Sequence, residues 1–254
     1  MKTLRNLSLC LLALMMLIPA MAQDKKEKKE KKAYQFEIIK KIPTTSVKNQ
    51  YRSGTCWSFS GLSLLETELI RMGKGEYDLS EMFIVRKSYE EKAEKFVRMH
   101  GKINFAGGGA FYDVLHVIDA YGIYPESVYS GLNYGTEKHV HGELDKVCKG
   151  FIDAVIENKN KKLTTAWKTA FSGIMDAYLG AAPEEFEYEG KTYTPKSFAK
   201  DLGLNMDDYI SLTSYTHHPF YEKFILEIPD NWAWAASYNL PLDELMQVFD
   251  NAID

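Results

Sequence analysis

The thiol of Cys56 is the group in this 254-residue sequence best placed for covalent chemistry. It sits in the stretch Asn49-Gln50-Tyr51-Arg52-Ser53-Gly54-Thr55-Cys56-Trp57-Ser58-Phe59. A cysteine attacks as its thiolate, and the first turn of a helix favours that anion through the helix dipole and unpaired backbone N–H groups. Gly54 lets the chain turn sharply ahead of the helix. Gln50 is close enough upstream to return its side-chain amide towards the sulfur. With the Cys56 N–H, that amide would form an oxyanion hole, in which one donor typically contributes ~3 kcal/mol of transition-state stabilisation. The competing bland role is a small buried hydrophobe at the start of a core helix, the common fate of a free cysteine.

The elements that must hold this thiol read as helix-rich. From Thr55 to Met72, Trp57, Phe59, Leu62, Leu65, Leu69 and Ile70 recur at mostly helical spacing, and Gly73 offers a left-handed stop. A second helix is expected from Ser80 as N-cap to about His100, with an outer face of Lys, Arg and Glu. A third runs from about Gly109 to Tyr121, carrying Phe111, Val114, Leu115 and Ile118 inward and stopping at Gly122. Between these two lies the open backbone Ala106-Gly107-Gly108-Gly109.

Residues 142–158 and 164–179 read as amphipathic helices, and Glu185 to Thr194 as a hairpin turning at Glu189-Gly190. Asp207 to Thr213 and Lys223 to Ile228 have strand character. Pro241 opens a helix with Leu242, Leu245, Met246 and Phe249 on one face. The strand pieces show no sheet partners after them, so the sequence reads as unfinished at Asp254.

The first residues read as an export signal. Lys2 and Arg5 are basic, Leu7 to Ile18 is mainly apolar, and Ala20-Met21-Ala22 predicts cleavage after Ala22. The apolar stretch is short for a membrane span, so none is expected after cleavage. The charged run Asp24 to Lys32 has no apolar residue to offset the entropy of ordering and reads as a solvated tether. A formal net charge of -4 argues against a nucleic-acid partner. Cys10 leaves with the signal. That leaves Cys56 and Cys148, too few for a disulfide framework, and Cys148 reads as a buried hydrophobe near Phe151.

Ser53-Gly54-Thr55-Cys56-Trp57 resembles the papain-like nucleophile signature Cys-Gly-Ser/Ala-Cys-Trp/Tyr. Ser53 replaces its first cysteine. With Asn49-Gln50 opening the motif, the stretch looks more like the bleomycin hydrolase and aminopeptidase C branch than like cathepsins. Leu79-Ser80-Glu81, Gly108-Gly109 and Tyr121-Gly122-Ile123-Tyr124-Pro125 are similar to features of the same family in the same order. The resemblance is good from about residue 42 to 135 and weaker beyond 140.

It implies an α+β papain-like fold: a signal over 1–22, a charged linker over 23–33 and a first lobe over 34–140. A helical insertion with a hairpin over 141–210 and an incomplete second lobe over 211–254 follow. It implies a cysteine peptidase, of aminopeptidase type, with Cys56 as nucleophile and Gln50 on the oxyanion. Gly109, with Gly108 as its neighbour, would bind the peptide backbone, and Trp57 would be a further substrate-binding residue. No cofactor and no metal are implied; the substrate is a peptide, and the branch is commonly hexameric. The signal implies export, to the periplasm or the medium. The alternative is a papain-like lobe that binds peptide without cleaving it.

In that family the base is a histidine, held by an asparagine in an Asn-Ser-Trp-Gly stretch, both from the second lobe. None of the histidines fits. His100 and His116 fall in or beside first-lobe helices. His139 and His141 straddle Val140 in a polar loop and suit a metal only with further ligands. His217-His218 precede Pro219-Phe220 rather than small apolar positions. Asn231-Trp232 lacks the Ser and Gly of the asparagine motif. Trp232, Trp234 and Tyr238 read as core or interface packing before a binding platform.

Overall fold

Helix α1, Cys56–Arg71, starts at the thiol and ends where Gly73 takes a positive φ of 73°. It buries Trp57, Leu62, Leu65 and Leu69, as their spacing predicts. This computed structural model describes residues 34–159 and 162–253. From Ile42 onward the chain forms one body, and residues 34–41 belong to a separate unit. The signal and the whole of the tether lie outside the described residues.

Helix α2, Glu81–Arg98, starts where Ser80 Oγ accepts the Phe83 N–H at 3.1 Å. Its expected charged outer face is outer only in part: Arg98 is exposed and Lys87, Glu90, Glu91, Glu94 and Lys95 are half-buried. Helices α1, α3 (Phe111–Tyr121), α4 (Gly142–Ile156) and α5 (Ala166–Leu179) all pack on α2. Glu81, Arg86 and Lys92 are consequently buried. Arg86 is satisfied by Asp176 at 2.6 Å, the Gly180 carbonyl at 2.7 Å and Ser172 Oγ at 3.0 Å. A buried charge persists only with such partners. Helices α1 and α3 approach closely at Gly61, where a Cβ would lie 2.7 Å from Val114 Cγ2.

Strands β1, Phe186–Tyr188, and β2, Lys191–Tyr193, form the expected hairpin around Glu189-Gly190. Helix α6, Pro195–Leu202, was not anticipated. Its start is nonetheless legible: Thr194 Oγ1 accepts the Ser197 N–H at 3.2 Å, and Pro195 occupies the first turn.

The strand expected over 207–213 shrinks to β3, Leu212–Thr213. Asn205 Oδ1 takes the Asp207 N–H at 3.3 Å and closes a single helical turn over 206–208 instead. Strand β4 is Lys223–Ile225. The missing sheet partner is β5, Ala236–Asn239, which lies between β3 and β4, parallel to the first and antiparallel to the second. Buried Asn239 locks the sheet's end by accepting from Tyr215 N at 2.8 Å and donating to the carbonyls of Tyr215, His218 and Pro219. Helix α7, Leu242–Ile253, buries no residue.

Candidate active site

The thiol stands exposed at the first position of α1. The preceding turn is tight: Ser53 N–H donates to Gln50 O at 3.2 Å, Tyr51 N–H to Asn49 Oδ1 at 2.9 Å, and Tyr51 and Gly54 adopt φ of 49° and 70°. A parallel bridge to residues 139–141 pins that turn, with Arg52 N–H on His139 O at 2.9 Å and His141 N–H on Arg52 O at 3.2 Å. Ser53 and Thr55 join their buried hydroxyls at 2.5 Å below it. The Thr55 carbonyl takes Ser58 N–H at 3.0 Å. Among the described residues, no hydrogen bond occupies the Cys56 N–H. It is a free donor at the positive end of a helix.

Gln50 and Cys56 line one cleft of about 370 Å³, together with Thr45, Lys48, Phe59 and Ser60. The Gln50 Oε1 is buried without a partner, so among the described residues its amide is held by packing rather than by hydrogen bonds. The expected oxyanion pair is therefore on one surface.

The outer wall of the cleft, residues 44–48, is tied down by carboxylates. Lys48 Nζ meets Glu66 at 2.6 Å, Asp78 at 2.5 Å and Glu81 at 3.2 Å. Burial works against the Lys48 charge, but Glu81, Asp78 and Glu66 together raise its pKa above the ordinary lysine value. Burial pushes the Glu81 carboxyl up to about 7 against the pull of Lys48. Glu126, half-buried with its Oε2 shielded and close to Glu81 and Asp78, is pushed up to about 8, mainly by desolvation.

The glycine segment reaches the thiol through Trp57. Trp57 Nε1 donates to Gly107 O at 2.8 Å, and its ring lies so near Gly109 that a Cβ there would sit 2.6 Å from Cε2. Lys92 Nζ donates to Ala106 O at 3.1 Å and to Gly108 O. Asp113 Oδ2 accepts the Ala110 N–H at 2.9 Å and Trp232 Nε1 at 3.0 Å. Trp232 is thus a buried strut rather than a platform. Lys92, Glu66 and Asp113 carry this site's framework and were not picked out from the sequence. The only signal available was a charged residue inside an otherwise apolar helical face.

His139 and His141 depart from their expected polar loop. Both are buried, with the Nδ1 of His139 and both ring nitrogens of His141 lacking partners. Burial lowers both pKa values, that of His141 to about 4, with His139 adding to the effect. His139 packs edge-on to Phe59 of the cleft. Among the described residues, no group of three or more His, Cys, Asp and Glu is arranged around a metal.

Among the described residues no histidine lines the Cys56 cleft. His116 bonds Glu91 at 2.8 Å, and His218 stacks on Phe224 at 3.9 Å. Asn231 closes its own loop through Leu226 O and both backbone groups of Ala235. Cys148 is buried in α4, where desolvation pushes its thiol up to about 12.

The Peptidase C1-like family matches residues 13–253. Aminopeptidase C of Streptococcus thermophilus is 25% identical over 244 residues, covering 80% of this chain and 55% of that protein. Aminopeptidase G of Lactobacillus delbrueckii subsp. lactis is 24% identical over 250 residues, covering 81% and 56%. The chain spans about half the length of the curated relatives it matches. The solved structure of pepw from Lactobacillus rhamnosis hn001 has a TM-score of 0.63 at 21% identity, covering 81% of this chain and 56% of that one. That likeness shows the α+β papain-like fold expected from the sequence.

Proposed function

Because the chain belongs to the Peptidase C1-like family, we propose that it carries the nucleophile half of a cysteine-type aminopeptidase. The observation that carries this reading is one cleft holding an exposed Cys56 at a helix start, its free N–H and the Gln50 side chain. The Cys56 thiolate attacks a peptide carbonyl, and the resulting oxyanion is met by the Cys56 N–H and the Gln50 amide. The C–N bond then breaks, the amine leaves with a proton, and water hydrolyses the thioester. The proton acceptor comes from outside the residues that line this cleft. Gly109, beside Trp57, pairs with the peptide backbone.

The test is alkylation of the full chain by a dipeptidyl chloromethyl ketone, in which the thiolate displaces chloride to form a thioether. Saturable labelling at Cys56, lost in Cys56→Ala and absent from Cys148, is expected; labelling spread equally over both thiols would sink the reading. That no histidine among the described residues lines the cleft favours a second reading, a lobe that binds peptide without hydrolysis. Turnover of an aminoacyl-coumarin that disappears in Cys56→Ser would remove it.

Export is part of the same proposal, carried by the basic, apolar and small-residue pattern of residues 2–22. Edman sequencing of the protein recovered from its native host should start at Gln23. An intact Met1 or Lys2 there would refute cleavage.

A further inference from the structure

Lys92 is a buried charge for which the proposed chemistry has no use. It comes from the interior of α2 and is 1% exposed. Its ammonium meets carbonyl oxygens and aromatic faces instead of a carboxylate: Ala106 O, Gly108 O, and the rings of Trp57, Tyr89 and Trp232, each centred 5.7 Å away. A buried ammonium is costly, and hydrophobic side chains of similar length fill such sites without that cost. The charge therefore calls for a role.

We propose that Lys92 is the positioning residue for bound peptide: it draws the Ala106 and Gly108 carbonyls inward and so presents the Gly109 N–H and C=O to the substrate backbone. The proposal rests on the peptide-binding reading above and assigns how that binding is organised. Three successive carbonyls of the segment are occupied, those of Ala106 and Gly108 by Lys92 and that of Gly107 by Trp57 Nε1. Among the described residues, no hydrogen bond occupies the N–H or the C=O of Gly109. Buried and unpaired backbone groups are rare, so a half-exposed residue left with both free is a natural place for a peptide to dock. The same ammonium lies over Trp57, which follows the nucleophile, and over Trp232, which braces Asp113 at the start of α3. One charge thereby couples the thiol's helix to the docking edge.

Burial lowers the Lys92 pKa to about 8, against the opposing fields of Asp113 on α3, Asp145 on α4 and Asp230 in the 226–235 loop. The Tyr89 ring also faces it, with its hydroxyl bonded to Asp145 Oδ1 at 2.5 Å; burial raises the Tyr89 pKa, so it does not ionise in the same window. The sign of the linkage is unusual. Between about pH 8 and the ordinary lysine value the unfolded chain holds a proton that the folded chain has lost, so this group's contribution to stability rises with pH. The charge-assisted hold on the carbonyls weakens over the same window. Peptide binding and Lys92-linked stability should move in opposite directions, which a purely structural lysine would not produce.

The experiment measures KI and kinact for a dipeptidyl chloromethyl ketone on the full chain, with the rate of iodoacetamide at Cys56 as the unguided control. Lys92→Met should raise KI about tenfold or more, with the iodoacetamide rate unchanged. Wild-type KI should rise between about pH 7.5 and about pH 10, and the variant should stay flat. A variant KI within about twofold of wild type would overturn the proposal. Should Lys92→Met not fold, the wild-type profile decides alone, and a KI flat across the window overturns it. If wild-type labelling never saturates, the peptide-binding reading fails and the proposal falls with it. Saturation in both proteins with equal KI removes Lys92 only.

Discussion

Glu66→Ala should lower the unfolding free energy by about 3–5 kcal/mol, the usual cost of removing one partner from a buried charged network. Glu66 is fully buried in α1, and all its bonds serve neighbouring segments. Its Oε1 accepts from Lys48 Nζ at 2.6 Å and from Leu79 N–H at 2.8 Å, and its Oε2 from Thr45 Oγ1 at 2.6 Å. Lys48 would keep Asp78 and Glu81, but the Leu79 N–H would be left buried and unpaired. The loss also reaches the site, because Thr45 and Lys48 are wall residues of the Cys56 cleft. Urea denaturation should show a lower midpoint at unchanged slope, and limited proteolysis should cut at residues 44–48 sooner than in wild type. Glu66→Gln keeps one acceptor oxygen for Lys48 and the Leu79 N–H and sets an amide donor beside Thr45 Oγ1, whose hydroxyl can accept instead, so it should lose less. A loss below about 1 kcal/mol for the alanine variant would contradict the anchoring role.

Gly109→Ala should cost about 3 kcal/mol, at the upper end for overpacking, and abolish peptide-guided labelling of Cys56. The new Cβ would lie 2.6 Å from Trp57 Cε2, 2.7 Å from Cδ2 and 2.8 Å from Asp113 Oδ2. Neither neighbour is free to give way. Trp57 is held by its bond to Gly107 O, and Asp113 by Ala110 N–H and Trp232 Nε1. Gly108→Ala is the control, since nothing lies within 4 Å of its Cβ position. Thermal unfolding and KI for the chloromethyl ketone should separate the two variants clearly. Equal behaviour would mean that the docking edge tolerates side chains and that the packing argument fails.

Local chemistry explains what could be read from the chain. Helical spacing of Leu62, Leu65 and Leu69, Ser80 as a cap, and glycines at positions 73 and 122 set where helices begin and end, because capping and periodicity act within a few residues. Cys56 on a helix start and Gln50 in the turn before it follow from such short-range signals plus a family likeness, whereas the contact of Trp57 with Gly109 is tertiary. The short strands of the second sheet were harder: β5 carries no alternation long enough to separate it from a loop, and its pairing with β3 and β4 spans some 10 to 30 residues of sequence.

The sequence by itself therefore determined the helix that Cys56 opens and the turn that carries Gln50, the proposed nucleophile and oxyanion partner, all within one short segment. Only the tertiary structure decided that Glu66, Lys92, Asp113, His139 and His141 are buried, because burial of a polar side chain depends on what packs over it from elsewhere in the chain. Helix α2 shows the reason most plainly. Its charged residues repeat as on a solvated face, yet helices from four other places in the sequence pack on it, and Lys92 ends up against the carbonyls of Ala106 and Gly108 rather than in water.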